Sequence, residues 1–185
     1  MSAVIEQLRK EHVGMAKVLS LLDEEMRKFK SGEVMDYLMV HSILDYMETF
    51  PDIAHHPLEN VIRDVLVNRD PAADAVIGDL KGEHDRLSVL VQNLREAVQA
   101  VEADLEMPRE DVVAKAHEYT GFLMRHMQKE EHDFFPRAQK VLSPEEWLLV
   151  EESIVDMLDP LEMDSRIEEY EALRREICSW EKATD

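Results

Sequence analysis

Two five-residue stretches carry the side chains most suited to chemistry: His55-His56-Pro57-Leu58-Glu59 and His126-Met127-Gln128-Lys129-Glu130. Each places a histidine four residues before a glutamate. On an α-helix, residues i and i+4 share a face one turn apart. Each pair can therefore aim an imidazole and a carboxylate at one point, as metal sites built from nitrogen and oxygen donors require. One H-x-x-x-E pair is commonplace on an exposed helix. Two gain meaning from the chain around them.

That chain is an internal repeat. Leu8-Arg9-Lys10-Glu11-His12 parallels Leu80-Lys81-Gly82-Glu83-His84, and each histidine is followed by apolar residues at +3, +7, +10 and +14. From His12 to His55 is 43 residues and from His84 to His126 is 42, and each interval ends in H-x-x-x-E. The periodicity predicts helices over about Ser2–Phe29, Val34–Val67, Pro71–Leu105 and Arg109–Val141. Pro51 and Pro57 should kink the second near Phe50–Asp52. Gly32 should stop the first, and Asp70-Pro71 should cap and open the third. Ser143 to Glu146 has the form of a capping box opening a fifth helix. Asp159-Pro160 breaks it before a last one, about Leu161–Trp180.

Short connections make neighbouring helices antiparallel, so the expected fold is all-α. It is an up-down four-helix bundle over residues 1–142, with two further C-terminal helices over 143–185. His12 lies about ten residues into its helix, and His55 about 13 from the end of the next. At ~1.5 Å per residue these depths agree within a turn. Four histidines and two glutamates can then meet at one level inside the bundle. Burying two ionised glutamates without partners would cost several kcal/mol each, and a metal pair removes that penalty.

Composition narrows the function classes. The chain has 185 residues, 41 acidic against 21 basic, and a net charge of −20. Nucleic-acid binding and docking on anionic lipid both need a basic face and are not expected. A single cysteine, Cys178, allows no internal disulfide and fits a reducing compartment. No signal-like N-terminus and no run of ~18 apolar residues is present. A cytoplasmic protein without a membrane span is the expectation.

Six or seven ligands are too many for one tetrahedral zinc, and no thiolate pair exists. Mixed imidazole and carboxylate ligation with two carboxylates able to bridge suits two iron or manganese ions. Ferritin-like sites use Glu-x-x-His, with the acid first. The residues three before His12, His84 and His126 are Arg9, Lys81 and Leu123, so that pattern fails.

The ordered set Glu11-His12, His55-His56-Pro57-Leu58-Glu59, Glu83-His84 and His126 to Glu130 with Glu131-His132-Asp133-Phe134-Phe135-Pro136 resembles the hemerythrin family, in its broad form the HHE cation-binding domain. The resemblance covers about Ile5–Lys140. It implies a four-helix bundle around a non-haem di-iron centre that binds dioxygen or related small oxidants. Glu59 and Glu130 would bridge the irons, and His12, His55, His84 and His126 would be terminal ligands. The oxygen carriers have a second histidine four residues from the first on the third helix. Here those positions are Leu80 and Ser88. His56 is the candidate to supply the missing nitrogen; its alternative is a surface position about 100° from His55.

His41, His117 and His132 lie off the shared level or face and read as surface residues. Tyr119 reads as a core residue near the site. Trp147, Leu148, Ile154, Met157, Leu158 and Leu161 form an apolar face expected to pack on the bundle, or else on a second copy or another protein. The leading function is a di-iron protein that binds, senses or detoxifies dioxygen, peroxide or nitric oxide, a binding role rather than an enzymatic one. The alternatives are a di-iron oxidase or peroxidase, an iron-dependent interaction module, and an iron donor for iron–sulfur cluster repair. Relatives with that last role carry an N-terminal cysteine-containing domain, whereas this chain opens directly on a helix.

Overall fold

The computed structural model describes residues 2–157 and 160–180, and among them every regular element is helical. The first helix, α1 (Ala3–Ser31), buries Leu8, His12, Met15, Leu19, Leu22 and Met26 along one face, as their spacing requires. It ends at Gly32, whose φ of 97° is left-handed. The Gly32 and Glu33 N–H groups there turn back to the carbonyls of Phe29 and Lys28. The next helix, α2 (Tyr37–Phe50), is capped by the Asp36 carboxylate, which accepts from the Met39 N–H at 3.0 Å.

The kink expected near Phe50–Asp52 is a π-helical turn, Pro51–His55, leading into α3 (His56–Arg69). A second π turn, Glu130–Phe134, separates α6 (Arg109–Lys129) from α7 (Phe135–Val141), where one continuous helix was expected. Both turns have one cause. Pro57 and Pro136 follow them, and a proline lacks the N–H and crowds the carbonyl four residues back. The turn widens, and the residue before each proline bonds five residues back: His56 N–H to Pro51 O, and Phe135 N–H to Glu130 O.

The helix expected over Pro71–Leu105 is two. A short α4 (Ala73–Ile77) ends at Gly78, whose φ of 70° breaks the run. The long helix α5 (Leu80–Glu102) begins afresh with Asp79 as its cap, accepting from the Gly82 N–H at 3.1 Å. Asp70 is not the helix cap expected of it, because its carboxylate is held by the Arg137 guanidinium. The restart sets His84 in the second turn of α5.

Helices α1, α2, α5 and α6 contact one another in a closed cycle. Arg109 at the start of α6 donates to the Phe29 carbonyl at the end of α1, at 2.7 Å. His41 near the start of α2 pairs with Glu102 at the end of α5, also at 2.7 Å. The apolar interior divides into two clusters. One holds Met15, Leu22, Leu87, Tyr119 and Leu123; the other holds Leu8, Leu58, Leu80, Phe134 and Phe135. A polar layer separates them.

The capping box opens α8 (Pro144–Met157): Ser143 N–H donates to Glu146 Oε2 at 2.8 Å, and Glu146 N–H to Ser143 Oγ at 3.3 Å. Helix α8 packs on α3, and α9 (Pro160–Trp180) packs on α1 and α2. Val150 and Ile177 are fully buried in these contacts, whereas Leu148 faces solvent. The break at Asp159 and the side chains of Ile154, Met157, Leu158 and Leu161 lie outside the described residues.

Candidate metal centre

All seven residues singled out from the sequence meet in the polar layer, and every one is buried: His12, His55, His56, Glu59, His84, His126 and Glu130. They form two adjacent groups. His12 and His55 gather with Glu59 and Glu130, while His56, His84 and His126 gather with Glu59. In each group one ligand atom per residue lies within 4.8 Å of the others.

The carboxylates tie the groups together. Glu59 Oε1 is 3.2 Å from His55 Nε2, and its Oε2 is 3.3 Å from His84 Nε2. Glu130 Oε1 is 3.0 Å from His126 Nε2, and its Oε2 is 3.3 Å from His12 Nε2. Each glutamate thus shows one oxygen to either side. These separations are those of hydrogen bonds, yet none of the four oxygens has a hydrogen-bond partner, nor do His84 Nε2 and His126 Nε2. The donor atoms crowd together at two points, His12 Nε2 lying 3.0 Å from His55 Nε2. Leaving four buried carboxylate oxygens unpaired is costly, and a cation at each point satisfies them together. The residues present fit a pair of metal ions.

His56 points inward and not to the surface. Its ring stacks on His84 with centroids 3.7 Å apart and planes at 12°. Consecutive residues on α3 can both serve the layer because the groups sit side by side across it. His55 faces one group and His56 the other, just past the widened π turn.

Behind the imidazoles stands a second set of carboxylates, absent from the candidate ligand set read from the sequence. Glu11 accepts from His55 Nδ1 at 2.7 Å, and Glu83 from His126 Nδ1 at 2.8 Å. Glu131 accepts from His12 Nδ1 at 2.9 Å and is itself held by Arg9; Asp52 accepts from His56 Nδ1 at 2.9 Å. Such bonds fix which ring nitrogen is free to face a metal. The signal was legible: Glu11-His12 and Glu83-His84 are repeat-related, and Asp52 lies four residues before His56. His84 is the exception, with no carboxylate behind it. Its repeat partner His12 is held by Glu131, and the residue equivalent to Glu131 is Asn60.

The field of the layer follows from these partners. Burial opposes charge on His55, but Glu59 and Glu11 outweigh it and raise its pKa to about 10. His126 is raised to about 9, burial again opposing and Glu130 and Glu83 prevailing. Glu59 is fully buried, yet chiefly His55 holds it well below the usual carboxylate range. At His56 burial dominates and lowers the pKa to about 4, against the Asp52 hydrogen bond. The hydrogen bond with His126, aided by Lys129, brings Glu83 down to about 2.

The remaining histidines stand apart from the layer. His41 pairs with Glu102, His132 bonds the Gln128 carbonyl, and His117 is exposed. Tyr119 is buried in the larger apolar cluster, and it lines with His56 and Asp52 a small pocket of about 10 Å³. Phe135 stacks on the His12 ring at 5.5 Å. Above and below the layer, Met15, Leu87 and the half-buried Phe122 belong to one apolar cluster and Leu8 and Leu80 to the other.

Compared with known families, the chain matches the one described as the hemerythrin HHE cation binding domain, over residues 3–138. No curated protein matches it, and no solved structure does.

Proposed function

This chain belongs to the hemerythrin HHE cation-binding family, and on that premise we propose that it binds two iron ions side by side. Glu59 and Glu130 bridge them. His12 and His55 complete one position; His56, His84 and His126 complete the other. The observation that carries this reading is the pair of buried carboxylates, each presenting unpaired oxygens to imidazoles of both groups. Iron is favoured over zinc because the donors are all imidazole and carboxylate, and because His56, His84 and His126 with the two glutamates give one position five donors, more than a tetrahedral shell. The contacts at the helix ends support an up-down arrangement of α1, α2, α5 and α6.

Five ring nitrogens and four carboxylate oxygens do not fill two octahedral shells, so a small exogenous ligand has a place to bind. When bound, iron supplies affinity for dioxygen, peroxide or nitric oxide. The chain's own residues supply the selection. The polar layer lies between two apolar clusters, and a small pocket beside His56, about 10 Å³, has room for one water-sized molecule. The burial of all seven candidate ligands favours binding, sensing or removal of a diatomic or peroxide over turnover of an organic substrate within the layer. Asp52, Glu11, Glu83 and Glu131 hold four of the imidazoles in one tautomer and one orientation. A reducing, cytoplasmic setting agrees with the single cysteine, and no described helix is long and apolar enough to cross a membrane.

The test is elemental analysis joined to optical spectroscopy. Protein from iron-rich medium should carry two iron ions per chain, and azide or nitric oxide should shift its visible spectrum. One equivalent of zinc under those conditions, or a spectrum indifferent to azide, nitric oxide and air, would overturn the reading.

A further inference from the structure

The two halves of the centre differ in how their imidazoles are braced. On the His84 side lies a cleft of about 390 Å³, lined among others by Asp52, His56, Asn60, His84, Asp85 and Ser88. Two of those residues belong to the His56, His84 and His126 group itself. His84 is 93% buried by its 7% exposure, yet its Nε2 has no partner. Asn60 Oδ1 in the same wall is also buried without a partner. The wall is polar, with two carboxylates against one lysine. Asp52 is half exposed and bonded by Ser88 Oγ at 3.3 Å, Asp85 is exposed, and Lys81 at the rim is 58% exposed beside Asp64.

The other half is braced on both of its rings. His12 is backed by Glu131 and Arg9, and Phe135 stacks on its ring. His55 is backed by Glu11, itself nearly buried at 9% exposure. His84 alone of the five imidazoles has no carboxylate fixing its orientation. One position is therefore braced on every ring and covered by an aromatic; the other has one unbraced ring and lies against a polar cleft.

We propose that this cleft is the port for a hydrated divalent cation, and that the position held by His56, His84 and His126 exchanges while that held by His12 and His55 is retained. The unbraced His84 can turn away from the layer and back without breaking a hydrogen bond of its own. Asp85 and Asp52 raise the local cation concentration at the mouth, and Lys81 opposes them. The product of exchange is a form with one ion. This rests on the dinuclear reading of the site, which the first step of the experiment checks separately.

Protein loaded with ferrous iron under nitrogen is first analysed for stoichiometry, then mixed with a coloured ferrous chelator and followed over time. Two ions should be present, one leaving in a fast phase and one in a phase at least about tenfold slower, because outer partners such as those behind His12 and His55 change affinity 10–100-fold. Asp85→Lys should slow both release and re-uptake in the fast phase, roughly tenfold at low salt, and Lys81→Glu should speed them. Both effects should fade in about 1 M salt, with the slow phase and the total iron unchanged. The opposite signs separate a port from a damaged fold. Protein that never holds two ions overturns the dinuclear reading and this inference with it. Two ions leaving in one phase, or a fast phase that neither variant moves, overturns the inference alone.

Discussion

Replacing Glu59 by glutamine keeps its volume and removes its charge at the one residue common to both groups. Metal held only by the folded protein stabilises it by RT ln(1 + [L]/Kd), about 2.7 kcal/mol per position when free metal is 100-fold above Kd. Two positions then contribute about 5 kcal/mol. For a chain of this length 1 kcal/mol is about 2–4 °C in Tm. Metal-loaded wild type should therefore melt about 10–20 °C above chelator-treated protein. Loss of a shared anionic ligand should weaken each position at least as much as loss of an outer partner, up to about 100-fold. The same free metal then sits near Kd, each position contributes only about 0.4 kcal/mol, and the Tm difference shrinks to about 2–3 °C. Metal-free Glu59→Gln should stay within about 2 kcal/mol of metal-free wild type. The change removes a fully buried carboxylate, and His55, left with Glu11, can release its proton instead of remaining an unpaired charge. Scanning calorimetry with and without chelator, on samples analysed for metal, measures each quantity. A variant that keeps two ions and the full Tm difference would refute Glu59 as a bridge.

Further consequences are open to measurement. His55 and His126, with pKa values near 10 and 9 in the metal-free fold, are charged at neutral pH. Ligation needs them neutral, so metal uptake at pH 7 should release protons and tighten as pH rises to about 9–10. Calorimetric titration in buffers of different ionisation enthalpy would show this, and buffer-independent heats would contradict it. The same raised values stabilise the metal-free fold fully below pH 6.5, and that share is lost as pH rises through 9 and 10. His56, lowered to about 4, works the other way, costing stability as pH falls from 6.5 towards 4. Glu83→Gln should weaken metal binding about 10–100-fold while leaving the ligand set intact; unchanged affinity in a competition assay would deny it a role in orienting His126. Glu25 is buried and accepts from the Asp36 N–H at 2.8 Å and from Lys28. Glu25→Ala should therefore cost about 1–3 kcal/mol in urea unfolding without changing metal stoichiometry.

The local order of the chain was legible because it is written in periodicities of one helix. The spacing of Leu8, His12, Met15, Leu19 and Leu22 declares a buried face, Gly32 its end, and Ser143 to Glu146 a start. The 43- and 42-residue intervals set the histidines at matching depths, so the level of the site could be read without coordinates. The end of α4 at Gly78 was missed because a glycine inside an apolar repeat reads as tolerated until its φ is known; here φ is 70°. The second π turn was missed although Pro136 marks it, since a proline says that a helix must adjust but not whether it breaks, kinks or widens.

Tertiary structure decided what depends on two helices at once. Sequence spacing put His56 about 100° from His55 and left two outcomes. Only the placement of α5, which sets His84 3.7 Å from the His56 ring, puts His56 in the layer. Likewise no spacing within one helix pairs Glu11 with His55 or Glu83 with His126, because each bond crosses between helices. The unequal bracing of the two halves is also a tertiary property. Asn60 and Glu131 occupy equivalent places in the repeat, yet only the carboxylate reaches back to a histidine, and that difference leaves His12 braced and His84 unbraced beside the cleft. A repeat fixes which residues can meet; the packing of the helices fixes which do, because ligand bonds and hydrogen bonds form over about 3 Å, far less than the uncertainty in rotation and depth that a helical period leaves.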